Sequence, residues 1–254
     1  MTGPGGSPDV RVFPDLTALS DATAAWIADE LRDSAMARGR ASFVLSGGST
    51  PKPLYELLAT RFKDRVPWRQ VHAFWSDERY VPHDDRLSNY RMARTSLLDH
   101  VPIPDEQVHP MPTHFQAPGE AAHEYEEVVT RFFSGGPATF DVMLLGLGAD
   151  GHTASVFAGS PALTSGRVAV AVTAPADPPE RLTLTMPVLA RGRRVGVLVS
   201  GAGKAAALAA SLSGRDPNLP GAVLGRTAST LVWWIDREAS SPADLKVRTT
   251  SKHP

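Results

Sequence analysis

Apolar and polar positions along the chain follow two different periods. Short apolar runs predict strands: DVRVFPD from Asp9, ASFVL from Ala41, VHAFW ending at Trp75, VMLLG from Val142, GRVAVAVTA from Gly166, RLTLT from Arg181, RVGVLVS ending at Ser200, and STLVWWID ending at Asp236. Between them, apolar residues recur at helical spacing. Leu16, Leu19, Ala24, Ile27, Ala28 and Leu31 form one stripe that ends at Gly39. Helices are also predicted within PKPLYELLATRF, SNYRMARTSLLDHV, GEAAHEYEEVVTRFFSG and GKAAALAASLSG. Strands alternating with helices predict an α/β fold: a mostly parallel, Rossmann-like sheet with helices on both faces. No Pro/Gly-rich linker divides it. A single domain is expected over residues 9–238, between an N-terminal tail (1–8) and a C-terminal tail (239–254).

Composition narrows the function. The 254 residues are 42% hydrophobic and 21% charged, with a net charge of −1. That balance offers no basic field for nucleic acid. Cysteine is absent, which removes disulfides and thiolate metal sites. With no signal peptide in MTGPGGSPDV, a cytoplasmic location is expected. No apolar run approaches the roughly 20 residues of a membrane span. His109, His114 and His123 are scattered irregularly among prolines, so neither a metal nor another cofactor is expected.

Three predicted strands end in glycine-rich turns, FVLSGGSTP, MLLGLGADGHT and VLVSGAGK, and a fourth, AFWSDER, ends in charges. In a parallel sheet these ends share one edge, where ligands bind. Gly146, Gly148 and Gly151 spell G-x-G-x-x-G, the pattern of a dinucleotide site. The context does not fit. The segment HTASVFA is cut short by Gly159, Ser160 and Pro161, and the strand that follows ends in Thr173 and Ala174 rather than an acid. SGAGKAA lacks the P-loop pattern, and SGGSTP has Pro51 where a nucleophile elbow needs glycine.

The remaining pieces suit a phosphorylated small molecule. Ser46, Gly47, Gly48, Ser49 and Thr50 offer N–H groups and hydroxyls before a helix, although such a string commonly serves only as a turn and cap. Arg79 and Lys204 are candidate counter-charges. Lys204 opens its helix, where a cation opposes the helix dipole and a bound anion would relieve the misfit. Arg181 stands at the start of a strand. His152, two residues after Asp150, is a candidate general base. Asp77 and Glu78 are candidate acid/base carboxylates, or else a turn, a helix cap or partners of Arg79.

The blocks VLSGGSTPKPLYELLA, FWSDERYVPHDDRLSNYRMAR, FDVMLLGLGADGHTASVFAGS and RLTLTMPVLARGRRVGVLVSGAGKAAAL resemble the 6-phosphogluconolactonase family, in a superfamily shared with glucosamine-6-phosphate isomerase/deaminase. They cover most of residues 43–208. The resemblance implies hydrolysis of 6-phospho-D-glucono-1,5-lactone in the oxidative pentose phosphate pathway. It implies His152 as base, supported by Asp150, with Asp77 as a further catalytic carboxylate. Phosphate is then expected against Ser46–Thr50, clamped by Arg79 and Lys204. Loop N–H groups or Arg181 are the candidates for holding the oxyanion. The expected partner is a sugar-phosphate lactone, bound by a monomer. Two other readings stand beside it: a deaminase, whose pattern has Asp-Glu-Tyr where this chain has Asp77, Glu78 and Arg79, and a catalytically silent sugar-phosphate sensor that would not require His152.

Overall fold

The computed structural model describes residues 8–240. The strands are β1 (Asp9–Phe13), β2 (Ala41–Leu45), β3 (Val71–Trp75), β4 (Asp77–Arg79), β5 (Val142–Gly146), β6 (Ala169–Thr173), β7 (Glu180–Leu184), β8 (Arg194–Val199) and β9 (Leu231–Asp236). The helices are α1 (Leu16–Arg38), α2 (Lys52–Ala59), α3 (Asn89–Ser96), α4 (Pro118–Phe132), α5 (Met186–Leu189), α6 (Ala205–Ser213) and α7 (Pro220–Thr227). Short 3₁₀ turns join several of them.

Six strands form one sheet in the order β1-β9-β8-β5-β2-β3, and every neighbouring pair is parallel. All five residues of β2 are buried, as expected for a strand covered on both faces. Local chemistry sets the helix limits. The Asp15 side chain accepts the Ala18 N–H to start α1, and Gly39, at φ 74°, ends it in the left-handed conformation. Ser88 caps α3 by accepting the Arg91 N–H.

The order of the strands creates the crevice. From β2 the chain steps to β3 on one side, whereas from β5 it steps to β8 and then β9 on the other. The sheet therefore reverses direction between β2 and β5. Ligands of open parallel sheets bind at such a point, beyond the carboxyl ends of the strands.

Three elements depart from the sequence reading. A second, antiparallel sheet, β4-β7-β6, stands apart from the main one. The acidic turn expected after Trp75 is strand β4, and RLTLT pairs with it rather than joining the parallel sheet. Helix α7 was not anticipated; glycine punctuates it at Gly221 and Gly225. The segment after Gly151 makes tight turns instead of a helix, with Ala154 at φ 48° and a bridge between Thr153 and Val156. The strand after it, β6, lies in the small sheet, so no βαβ unit surrounds G-x-G-x-x-G.

The tails proposed at 1–8 and 239–254 fall mainly outside the described residues. Ala239, which the sequence reading assigns to the C-terminal tail, is fully buried and donates its N–H to Asp236. Among the described residues, no helix is long and apolar enough to cross a membrane.

Candidate active site

A cavity of about 320 Å³ opens at the reversal point. The loops after β2, β5 and β8 line it, together with β4 and the first residue of α3. Ser46 to Thr50, Asp77, Arg79, His152 and Lys204 all meet there, although they come from distant parts of the chain.

The β2 loop is shaped for an anion. Ser46 donates its N–H to the Tyr55 hydroxyl, which donates in turn to the Ser46 carbonyl, so α2 fixes the start of the loop. The N–H groups of Gly47, Gly48, Ser49 and Thr50 find no protein acceptor among the described residues. Consecutive free N–H groups ahead of a helix form an anion-binding concavity. A Cβ on Gly47 would sit 1.8 Å from Asn89 Oδ1, which explains glycine at that position.

The β5 loop presents His152. Gly148 donates to the His152 carbonyl at 2.8 Å, and Gly151 donates to the Gly148 carbonyl at 3.0 Å. Gly151, at φ 83°, also packs on Leu219 so closely that a Cβ would lie 2.4 Å from its Cδ1. This curl places Asp150 Oδ1 2.5 Å from His152 Nδ1. The carboxylate accepts the Nδ1 proton and leaves Nε2 as the free acceptor of the ring. Burial pushes the Asp150 carboxyl up, but the His152 charge and hydrogen bonds outweigh it and hold the group below its ordinary value.

Asp77 lines the cavity but is heavily engaged. Its Oδ2 accepts the Ser155 hydroxyl at 2.7 Å, and its Oδ1 accepts the Ser76 hydroxyl at 3.2 Å. Ser155 lies three residues beyond His152, so Asp77 ties the loop that carries His152 to β4. Glu78 is a helix cap: it accepts the N–H groups of Asn89 and Tyr90 and the Ser88 hydroxyl, and also the Arg79 N–H. Burial pushes its carboxyl up to about 7 against the pull of those donors.

Arg79 and Lys204 supply positive charge, and neither forms an ion pair among the described residues. Of the sequence-predicted residues, Asp150, which stands behind His152, and Arg181 do not line the cavity. Arg181 lies directly opposite Arg79 across β4 and β7, and its Nε donates to the Pro178 carbonyl at 2.9 Å. Burial and the neighbouring Arg79 lower its pKa. Its place in the antiparallel sheet, unread in the sequence, sets it beside Arg79 rather than in the wall.

Sequence reasoning missed Asn89 and Ser155. Asn89 is 1% exposed, donates to the Asp77 carbonyl at 2.9 Å, and forms part of the wall. The sequence marked this region only as part of a predicted helix and of the family-like block FWSDERYVPHDDRLSNYRMAR. Among the described residues no three His, Asp or Glu side chains converge as a metal ion would require.

Comparison with known proteins agrees with this geometry. The family model for glucosamine-6-phosphate isomerases/6-phosphogluconolactonase matches residues 14–233. A 6-phosphogluconolactonase of Mycobacterium tuberculosis is 43% identical over 244 residues, covering 92% of this chain and 98% of the relative. One of Synechocystis is 40% identical over 237 residues, covering 92% and 97%. The solved 6-phosphogluconolactonase of Trypanosoma cruzi superposes with a TM-score of 0.80 at 30% identity, covering 91% of this chain and 95% of that one. On its sequence and its fold alike, the chain belongs to the glucosamine-6-phosphate isomerase/6-phosphogluconolactonase family.

Proposed function

We propose that this protein hydrolyses 6-phospho-D-glucono-1,5-lactone to 6-phosphogluconate, a step of the oxidative pentose phosphate pathway. The observation that carries the reading is that a carboxylate-oriented histidine and a phosphate-sized nest of free N–H groups share one cavity. The phosphate sits against Gly47 to Thr50, with Arg79 and Lys204 as its counter-charges. This leaves the lactone end of the sugar for His152.

His152 Nε2 takes a proton from water as the water oxygen bonds to the lactone carbonyl carbon. The carbonyl electrons move to oxygen, and loop N–H groups stabilise that charge. When the tetrahedral intermediate collapses, the bond to the ring oxygen breaks. The ring oxygen keeps the electron pair and takes the proton from the imidazolium. The product is a hydroxy acid, and His152 is neutral again. Asp150 holds the tautomer and balances the transient cation. Asp77 serves as a positioning residue through Ser155. A deaminase would need that carboxylate free to move protons at carbon, and its engagement by the Ser76 and Ser155 hydroxyls favours the lactonase. The proposed enzyme acts as a monomer in the cytoplasm.

The test compares wild type, His152→Ala and a protein-free control on freshly generated lactone near neutral pH. A loss of about 10²- to 10⁴-fold in kcat, with 6-phosphogluconate still bound, supports the assignment. Wild type no faster than the spontaneous reaction would overturn it.

A further inference from the structure

Strand β9 ends in an acid that the mechanism above does not use. Asp236 is 3% exposed and has no cation partner among the described residues. Donors surround its carboxylate instead. The Ser200 hydroxyl donates to Oδ2, the Gly201 N–H reaches both oxygens at 3.1 Å, and the Ala239 N–H donates to Oδ1 at 2.8 Å. A buried carboxylate is retained only where its donors are well aimed, and such charge-assisted bonds are stronger than neutral ones.

The position of this carboxylate gives it a task. Strands β8 and β9 pair in parallel, with Val199 opposite Ile235, so Ser200 and Asp236 are the next residues along both strands. They stand at the carboxyl edge that bears the cavity. Gly201 adopts φ 91° and ψ 148°, a backbone state that residues with a side chain avoid. Its N–H is held by Asp236, and its carbonyl accepts the Lys204 N–H at 3.0 Å. The β9 carboxylate thus holds one side of Gly201, and the other side of the same residue holds the residue that opens α6. Lys204 then stands at that helix start with no acid in the first turn to hold it.

We propose that Asp236 is a positioning residue for the phosphate end of the site: it fixes the Ser200–Gly201 turn and so aims Lys204 into the cavity. The inference rests on the reading of Lys204 as a phosphate clamp. Asparagine at 236 keeps the shape but removes the charge, and its amide hydrogens must face one of the existing donors.

The experiment uses the full chain and measures kcat, KM and inhibition by 6-phosphogluconate and by unphosphorylated gluconate, for wild type, Asp236→Asn and Lys204→Ala. The expected result for Asp236→Asn is a rise of about tenfold in KM and in the 6-phosphogluconate inhibition constant, as for loss of a bond to a charged group. The kcat and the gluconate inhibition stay unchanged. Combined with Lys204→Ala, the effect is far from additive, because both changes act through one side chain. A lowered Tm with unchanged phosphorylated-ligand affinity, while Lys204→Ala weakens it, would show a merely structural role and overturn the inference alone. Lys204→Ala without effect would overturn the clamp reading and the inference with it. If Asp236→Asn does not fold, Gly201→Ala is measured in the same way: unchanged inhibition by 6-phosphogluconate overturns the inference, and weakened inhibition with gluconate unaffected supports it.

Discussion

A single oxygen of Asp150 holds His152 at two points: Oδ1 lies 2.5 Å from the ring Nδ1 and 3.3 Å from the backbone nitrogen of the same residue. The ring and the chain beneath it are therefore set by one acceptor. Alanine at 150 would remove that acceptor and release the ring to the tautomer with its proton on Nε2. That tautomer cannot accept a proton from water. Asp150→Ala is expected to lose most of the ~10²- to 10⁴-fold contribution of general base catalysis in kcat, with KM nearly unchanged. Steady-state kinetics check this, and a kcat close to wild type would remove Asp150 from the mechanism.

Gly148 makes a separate demand. A Cβ there would lie 2.2 Å from His152 Nδ1 and 2.5 Å from Asp150 Oδ1. Both atoms end side chains that are partly exposed, so they can move aside while the loop survives. Gly148→Ala is expected to keep the fold and the phosphate affinity but to lower kcat at least tenfold, or roughly 1.4 kcal/mol of transition-state stabilisation. Product affinity and thermal melting, measured alongside kcat, separate this from unfolding.

Away from the site, His72 Nδ1 and His109 Nε2 lie 3.1 Å apart, and both rings pack against Phe132. Burial, helped by His72, lowers the His109 pKa to about 4. Burial and the charge of Arg40 lower His72 as well. Between the ordinary value of 6.5 and about 4, the unfolded chain binds the His109 proton and the folded chain does not. This pair's contribution to stability is therefore complete above pH 6.5 and is lost as pH falls towards 4. The slope of Tm against pH across that window is expected to be shallower in His109→Phe than in wild type. Equal slopes would show that the pair plays no part in acid sensitivity.

What the sequence revealed depended on how local the determining physics was. Helix α1 carries its own stripe, its Asp15 cap and its Gly39 stop, and all three are legible in one window. The loop after β2 is legible for the same reason. Strand β4 is not. Its three residues, Asp-Glu-Arg, are charged and carry no apolar period, and it is a strand only because Arg181 and Leu182 lie opposite it. The same long-range pairing moved Arg181 out of the cavity wall. Asn89 left no signal because its importance comes from Gly47, which is remote in sequence. Asp236 was readable in principle: an acid closing an apolar strand on the edge that carries the glycine turns.

The pairing of β1 with β9 joins Val10 to Trp233 and Phe13 to Asp236. Among the described residues, the first strand thus finds its sheet partner in the last. Until β9 is made, β1 has no ladder to join, and β8 shows a bare edge where β9 belongs. Contacts of such long sequence separation slow folding. A nascent or prematurely ended chain lacking β9 would lose the two outermost strands at one edge of the sheet, along with the acid behind the Lys204 turn. Enzymatic activity in this protein therefore requires synthesis to have passed β9.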